Sequence, residues 1–402
     1  MALTLFTIVL VLIFRYHLLV YTAVLFVCGN VVLFVWSLVS TRGLTVERKH
    51  SATSLRGYPL QIELVVVNRF GLPRFALVGF DEFAPGRESQ KFHEVALLSV
   101  GAKSSASANY EAIPIRRGKF EVGPFYFYSG DPFGFYRYLR RVNVLTPLIV
   151  LPTPLDTRVN YLRSSSVLPK DELATLPMAG SSPEFLGVRE YQPGDPVRKV
   201  HWASTARLGT LITKQFERNV ASTMSVLLVN NERSTEGGNE EHNPLEYAIT
   251  LVSTLARETG RSHYYFSFME INGRAVRHLS GMGGGFFQQL SLMLAEIVPG
   301  ERLDLSDWPK QILQHLPTGS DLIVFIPELT GAEAQFLANL RLNYRLLSVV
   351  TFDLESFRRG APRHTPRSRV SFGRNFLIFE IAFGDDLSRQ LEAFVEKVGF
   401  IR

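Results

Sequence analysis

Residues 2–39 are nearly all apolar, interrupted by Arg15, Tyr16 and His17. Leu18 to Val39 is long enough to span a bilayer, which takes about 20 apolar residues. Ala2 to Phe14 is shorter and completes a span only with snorkelling of Arg15 and local thinning. A tight transmembrane hairpin over 1–40 is the expectation; a single span with its N-terminus outside competes with it. A cleaved signal peptide fits less well, because there is no basic stretch before the apolar run and no small-residue cleavage site.

From residue 51 to 155 the apolar positions alternate. Leu60 to Val67 (LQIELVVV) reads as a strand ended by Asn68 and the Gly71-Leu72-Pro73 break. Phe75 to Phe80, His93 to Val100, Ala108 to Ile115, Phe120 to Tyr128 and Val144 to Leu151 read as further strands. Asp131 and Pro132 read as a turn. Short strands at this spacing predict a small β-sandwich over 41–155. Residues 156–222 begin irregularly (Ser164-Ser165-Ser166, Pro169, Pro177) and read as a linker leading into a dense run of charges.

Beyond 223 strands and helices alternate. Met224 to Val229 (MSVLLV) is a continuous apolar run, as in a strand buried on both faces. Asn243-Pro244 starts a helix with Leu245, Ala248, Ile249, Val252, Leu255 and Ala256 on one face and Gly260 at its end. Strands are predicted at Tyr264–Ile271, Asp321–Ile326, Leu346–Phe352 and Asn375–Ile381. Helices are predicted at Gly285–Ile297, Ala332–Leu342 and Asp386–Val398. This rhythm predicts a parallel sheet covered on both faces over 223–402.

A chain of 402 residues is long enough for two or three domains. Hydrophobic content of 46% against 20% charged residues describes a folded chain. The net charge of +6 is mild. Arg42, Arg48, Lys49 and His50, offset only by Glu47, make it a positive-inside flank, so the bulk of the chain is expected in the cytoplasm. Tyr126, Tyr128, Phe133, Phe135 and Tyr136 with Arg137, Arg140 and Arg141 mimic a base-stacking patch. Alternation on a strand explains those aromatics, and no concentrated basic face accompanies them, so no nucleic-acid partner is expected. The single cysteine, Cys28, excludes an intramolecular disulfide.

The charged run is the stretch Ser182–Arg218, SPEFLGVREYQPGDPVRKVHWASTARLGTLITKQFER. Pro193-Gly194 predicts a turn. Asp195 stands where a helix N-cap belongs, with Pro196 at the first helical position and Gly209 past the end. Thr210 to Phe216 follows as a strand. Glu184-Phe185, Gly187, Arg189-Glu190-Tyr191, Pro193-Gly194-Asp195, Arg198, Trp202, Ala206-Arg207 and Gly209 together resemble the signature of the domain of unknown function 58 family, bacterial membrane-anchored proteins. His201 stands where an acidic residue is common in that family, so no acid is expected to act there.

The resemblance implies a von Willebrand factor A-like fold for the last domain. The whole is then multidomain: N-terminal transmembrane helices, a small β-sandwich and a C-terminal α/β (Rossmann-type) domain. It further implies the bacterial inner (cytoplasmic) membrane, a MoxR-type AAA+ ATPase as partner, and a transglutaminase-like membrane protein as another candidate.

A von Willebrand A domain holds a divalent cation after its first strand, through an Asp-x-Ser-x-Ser loop, a Thr and a further Asp. Such hard oxygen ligands suit Mg²⁺. Here Asn230, Glu232 and Ser234 follow the first strand and Thr330 the third. Asn replaces the leading Asp, and Arg233 adds a repelling charge. The site is expected to be degenerate, with no metal or other cofactor held. Gly281-Met282-Gly283-Gly284-Gly285 lacks the Lys-Ser/Thr ending of a phosphate loop and reads as a flexible connector.

Two uses of the charged run compete. Asp195 and His201 form a candidate acid/base pair with Ser204 or Thr205 as nucleophile, the basis of a hydrolase alternative. The preferred reading assigns no catalytic residue. Asp195 caps backbone amides, Arg189, Arg198 and Arg207 pair with Glu184, Glu190 and Glu217, and Trp202 packs below. A rigid, arginine-rich turn of this kind also suits protein docking, which makes the chain an adaptor or scaffold. The docking or structural set is Arg189, Glu190, Tyr191, Gly194, Asp195, Arg198, Trp202 and Arg207.

Overall fold

The computed structural model describes residues 16–130, 136–157, 185–190, 200–216, 223–261, 264–273, 275–301, 314–362 and 376–401, with Phe6, Val9 and Ile312. Two compact units are present, Met1–Thr153 with Ser291–Ile297, and Pro154–Leu290 with Val298–Arg402.

In the first unit the long apolar run forms helix α1 (His17–Ser40). Its portion Val20–Ser40 is long and apolar enough to cross a membrane. Apolar side chains surround the helix and face outward (Leu25 is 72% exposed), unlike the single buried stripe of an amphipathic surface helix. Of the shorter apolar segment before it only Phe6 and Val9 are described, both helical. The remainder of the expected hairpin lies outside the described residues.

Ten strands follow: β1 (Leu44–Lys49), β2 (Thr53–Leu55), β3 (Leu60–Asn68), β4 (Arg74–Glu82), β5 (Phe92–Val100), β6 (Ser105–Ala112), β7 (Gly118–Val122), β8 (Phe125–Gly130), β9 (Arg137–Val142) and β10 (Thr146–Leu151). They pair as β1-β3-β6, β2-β10-β7 and β5-β4-β8-β9. The alternation in β3 buries Leu60, Ile62, Leu64 and Val66. Leu64 and Val66, with Leu44 and Val46, pack against Leu77, Val95, Phe125 and Phe127 across the domain. Side chains from facing sheets interdigitate in this way in a sandwich. The expected strand Phe120–Tyr128 is divided between β7 and β8 at Gly123-Pro124, whose peptide bond is cis. Gly123 has φ +114°, and a Cβ there would stand 2.2 Å from the Val144 carbonyl oxygen, so only glycine fits. The turn expected at Asp131-Pro132 lies outside the described residues.

A charged cluster is enclosed in this sandwich. The Arg48 Nε donates to Asp81 Oδ2 at 2.9 Å, and a second guanidinium nitrogen reaches Asp81 Oδ1. Neither side chain is exposed. Arg48 also donates to the carbonyls of Val122 and Val144 and to the Thr146 hydroxyl, at 2.7, 3.1 and 3.0 Å. The Tyr110 hydroxyl donates to Asp81 at 2.7 Å, and its ring stacks on His93 at 4.7 Å. Burial and the neighbouring Asp81 charge hold the Tyr110 phenol well above its ordinary range. Burial holds the His93 imidazole below its own, against the pull of Asp81. Arg48 therefore joins β1 to β4, β7 and β10 and is not a surface charge flanking α1.

The second unit begins with β11 (Phe185–Glu190), α2 (Trp202–Leu208) and β12 (Ile212–Phe216). The elements that follow in the chain are β13 (Thr223–Val229), α3 (Pro244–Arg261), β14 (Tyr265–Ile271), β15 (Val276–Gly281), α4 (Gly283–Ala295, whose residues from Ser291 on group with the first unit), β16 (Asp321–Phe325), α5 (Gly331–Leu340), β17 (Leu346–Phe352), α6 (Leu354–Arg359), β18 (Phe376–Ile381) and α7 (Leu387–Ile401). The six-stranded sheet has the order β15-β14-β13-β16-β17-β18. All its pairings are parallel except β14 with β15, an antiparallel edge strand that the sequence pattern did not predict. Every residue of β13 is buried. The predicted face of α3 is also buried: Leu245, Ala248, Ile249, Val252, Leu255 and Ala256. The supposed glycine connector is not one, because Gly281 ends β15 and Gly283 opens α4.

Candidate functional site

Two places in the second unit carry the predicted site residues. The first is the turn around α2. Strands β11 and β12 pair antiparallel, with Arg189 opposite Thr213 and Glu190 opposite Ile212. Tyr191, Gly194, Asp195 and Arg198 lie outside the described residues. The helix is shorter than expected. Val200 forms an antiparallel bridge with Thr213, and the helix begins only at Trp202.

Its N-cap is His201, not Asp195: the imidazole Nδ1 accepts the Ser204 N–H at 3.2 Å and lies 2.8 Å from the Ser204 hydroxyl. The other end is as predicted, with Gly209 at φ 71° and its N–H bonded to the Thr205 carbonyl. Two further bonds fasten α2 to β12. The His201 N–H donates to the Ile212 carbonyl at 2.7 Å, and the Ile212 N–H to the Thr205 hydroxyl at 3.0 Å.

No residue of α2 is buried. Trp202 is 64% exposed, Leu208 62% and Leu211 46%. Trp202 therefore does not pack below the turn, as the buried-network reading expected. Arg207 is exposed in the last turn, where a cation suits the helix dipole. A short, cross-braced helix and the turn after it thus present one large aromatic, two leucines and an arginine to their surroundings.

The second place is the carboxyl end of the main sheet, between β13 and β16, where the strand order reverses. Ligands of open α/β sheets bind at such a point. Asn230 sits there with no exposed surface. Its amide donates to Glu270 Oε1 at 2.8 Å and to the Val298 carbonyl at 2.7 Å, and its carbonyl accepts from Gly300 N–H at 3.0 Å. Asn231 and Ser234 form a reciprocal capping box, and so do Thr330 and Glu333 at the start of α5. Glu232 is exposed.

The charges around this end are matched in pairs: Arg233 with Glu328, Arg358 with Glu236, and Arg359 with Glu355. Glu236 pushes the Arg358 guanidinium above its already high ordinary value. Among the described residues no three His, Cys, Asp or Glu side chains converge on a metal-sized space. The oxygens expected as cation ligands at Asn230, Ser234 and Thr330 are engaged with amides of their own unit. Nothing in the sequence pattern pointed to Glu270 or Gly300 as partners of Asn230, since they come from distant segments.

Residues 187–311 match the family described as "Protein of unknown function DUF58". No curated protein matches the chain. Among solved structures, the chain is similar to the CARDB domain of the PF1109 protein from Pyrococcus furiosus in complex with di-metal ions, at 15% identity over 27% of this chain and 87% of that one, TM-score 0.21. The solution structure of the same domain gives 15% identity, 27% and 94% coverage and TM-score 0.21. Red sea bream transglutaminase gives 17% identity, 27% and 15% coverage and TM-score 0.21.

Proposed function

We propose, from the match of residues 187–311 to the DUF58 family, that the chain is a membrane-anchored adaptor whose α2 turn docks a MoxR-type AAA+ ATPase. In this reading α1 is the anchor in a bacterial inner membrane, the bulk of the chain is cytoplasmic, and the pair serves assembly or maturation of envelope proteins. A transglutaminase-like membrane protein is a second candidate partner. The observation that carries the reading is the exposure of Trp202, 64%, beside Leu208 and Arg207 on a helix with no buried residue. Trp and Arg are the residue types most enriched among binding hot spots. The bonds from His201 and Thr205 to Ile212 hold that surface in place before any partner arrives.

The second unit reads as a von Willebrand factor A-like domain adapted to protein contacts. Its strand order and single antiparallel edge strand suit that fold. Its Asn230 amide is committed to Glu270, Val298 and Gly300, which favours partner recognition over ion binding at that end of the sheet.

The test is capture of the ATPase by the solubilised full-length protein with nucleotide present. Trp202→Ala and Arg207→Glu remove exposed side chains and leave the fold intact. Loss of a hot-spot residue costs about 2 kcal/mol or more, roughly a thirty-fold drop in affinity. Unchanged capture by both variants would sink the docking role of α2.

The hydrolase alternative rests on the 2.8 Å approach of Ser204 to His201. Capping of α2 already accounts for that contact. Ser204→Ala separates the two, since a capping role predicts full function and a nucleophile predicts none.

A further inference from the structure

We propose that His278 and His315 form a binding site for a divalent transition-metal ion of the zinc, nickel and copper class, held by one imidazole nitrogen from each and completed by water. The two ring centres lie 5.3 Å apart. A zinc ion stands about 2.0–2.1 Å from a ligating imidazole nitrogen, and hence about 3.2 Å from the ring centre. Two such rings at a tetrahedral angle have centres about 5.2 Å apart. The observed spacing is therefore that of two imidazoles sharing one ion, and no backbone movement is needed to reach it. The Cβ–Cγ bond of a histidine points through the ring centre, and rotation about it is soft. Turning the ring aims a nitrogen and leaves the centre in place.

Both ligands stand on anchored backbone. His278 lies in β15 opposite Met269, which is buried in the core of the sheet. His315 directly precedes Leu316, whose N–H donates to the Ile312 carbonyl at 2.8 Å, and Ile312 and Leu316 are buried in that same core. The two imidazoles are exposed and so open to an ion from solvent. On its inner side the His278 Nε2 lies 3.1 Å from the hydroxyl of Ser267, which is buried on the neighbouring strand β14. A metal-ligating histidine has its other ring nitrogen held in this way, which fixes the tautomer and the ring. Nδ1 is then the ligand atom of His278. Burial, and after it the neighbouring His315, hold the His278 imidazole below its ordinary range, so the ring is neutral at pH 7.5 with a lone pair to give. The preceding residue, Arg277, projects from the other face of the strand toward Glu270, 3.6 Å away, and brings no cation to the pair. Imidazole ligands suit zinc, nickel and copper, whereas Mg²⁺ takes oxygens. The bound ion would clip β15, an edge strand with no fully buried residue, to the segment 314–316.

The test uses the untagged full-length protein in detergent at pH 7.5, stripped of metal with a chelator. Zinc chloride is titrated calorimetrically into wild type, His278→Ala and His315→Ala, with magnesium chloride as the control. Both side chains are exposed, so each variant keeps the wild-type unfolding midpoint in chelator. The chain holds 9 histidines, so the comparison with the variants is what separates this pair from the others. The proposal expects one zinc-binding event in wild type, at least tenfold weaker in each variant, and none with magnesium. It also expects severalfold slower hydrogen exchange of the β15 amides in zinc-loaded wild type, because a ligand bound only to the closed state suppresses local opening. A zinc isotherm unchanged by the substitutions overturns the proposal. So does loss on one substitution alone, which would place the ion elsewhere, and so does exchange in β15 that zinc leaves unaltered.

Discussion

Restoring the acid at position 230 is the sharpest test of what the carboxyl end of the sheet is for. Asn230→Asp supplies the residue a cation site would lead with, at a cost set by what Asn230 now holds. Its amide donates to the Glu270 carboxylate at 2.8 Å, a charge-assisted bond, and such bonds contribute about 1.5–3 kcal/mol. It also donates to the Val298 carbonyl at 2.7 Å. Leaving that buried acceptor without its donor costs about 1–3 kcal/mol more. The bond accepted from Gly300 survives and strengthens against a carboxylate, offsetting about 1 kcal/mol. Two carboxyls at hydrogen-bond distance cannot both stay ionised, so the variant must take up a proton on folding. The net expectation is a loss of about 1.5–5 kcal/mol, or roughly 3–20 °C in the unfolding midpoint of a unit this size. Folded-state proton uptake makes the loss greater as pH rises. Thermal unfolding of wild type and variant, each with and without millimolar Mg²⁺, reads this directly. A variant that keeps the wild-type midpoint and gains several degrees with Mg²⁺ would refute the reasoning and make this a metal site.

Two further outcomes concern the sandwich. Asp81→Ala strands the buried Arg48 and is expected to cost about 3–5 kcal/mol in denaturant unfolding, whereas Arg48→Met with Asp81→Leu should cost clearly less; equal losses would show that the charges themselves are not what matters. His93 is held below its ordinary range by burial. As pH falls through about 6.5 the unfolded chain therefore takes up the proton before the folded one does, and stability declines until the folded His93 also titrates. His93→Phe should flatten the fall in midpoint between about pH 7.5 and 5.5, and a slope unchanged by the substitution would show that other groups set it.

Much of the fold was legible because burial leaves a local trace. The period of two in Leu60–Val67 and the solid apolar block of Met224–Val229 reappear as β3 and β13, and Gly209 ends its helix as its φ allows. The failures share a cause, which is that the deciding partner is remote in sequence. Arg48 looks like a membrane-flanking charge until Asp81 is placed against it. Strand β1 was missed for the same reason, since LTVERK reads as polar when Arg48 is counted as exposed. Strand β15 (VRHLSG) is an edge strand with no residue fully buried, so it carries no apolar alternation to detect. At the candidate site, the sequence shows that Asn230 has lost the charge of an acid. Only the fold shows that its amide is occupied by Glu270 and Val298. Trp202 misled in the opposite sense, because a tryptophan among charges is usually packed, and here it is bare.

Between the last helical residue of α1 and the first residue of β1 stand only Thr41, Arg42 and Gly43. Thr41 is fully buried and accepts the Arg140 bond, so even this short connection is gripped. If α1 is the anchor proposed above, a flexible tether would let the sandwich sweep a hemisphere beside the membrane and meet soluble and membrane-bound partners alike. With almost no slack, a sandwich anchored in that way would keep a fixed height and tilt as it diffused, and its search for partners would become two-dimensional. Proteins embedded in the same bilayer would then meet it at high effective concentration, while a soluble partner would have to come to the membrane to find it.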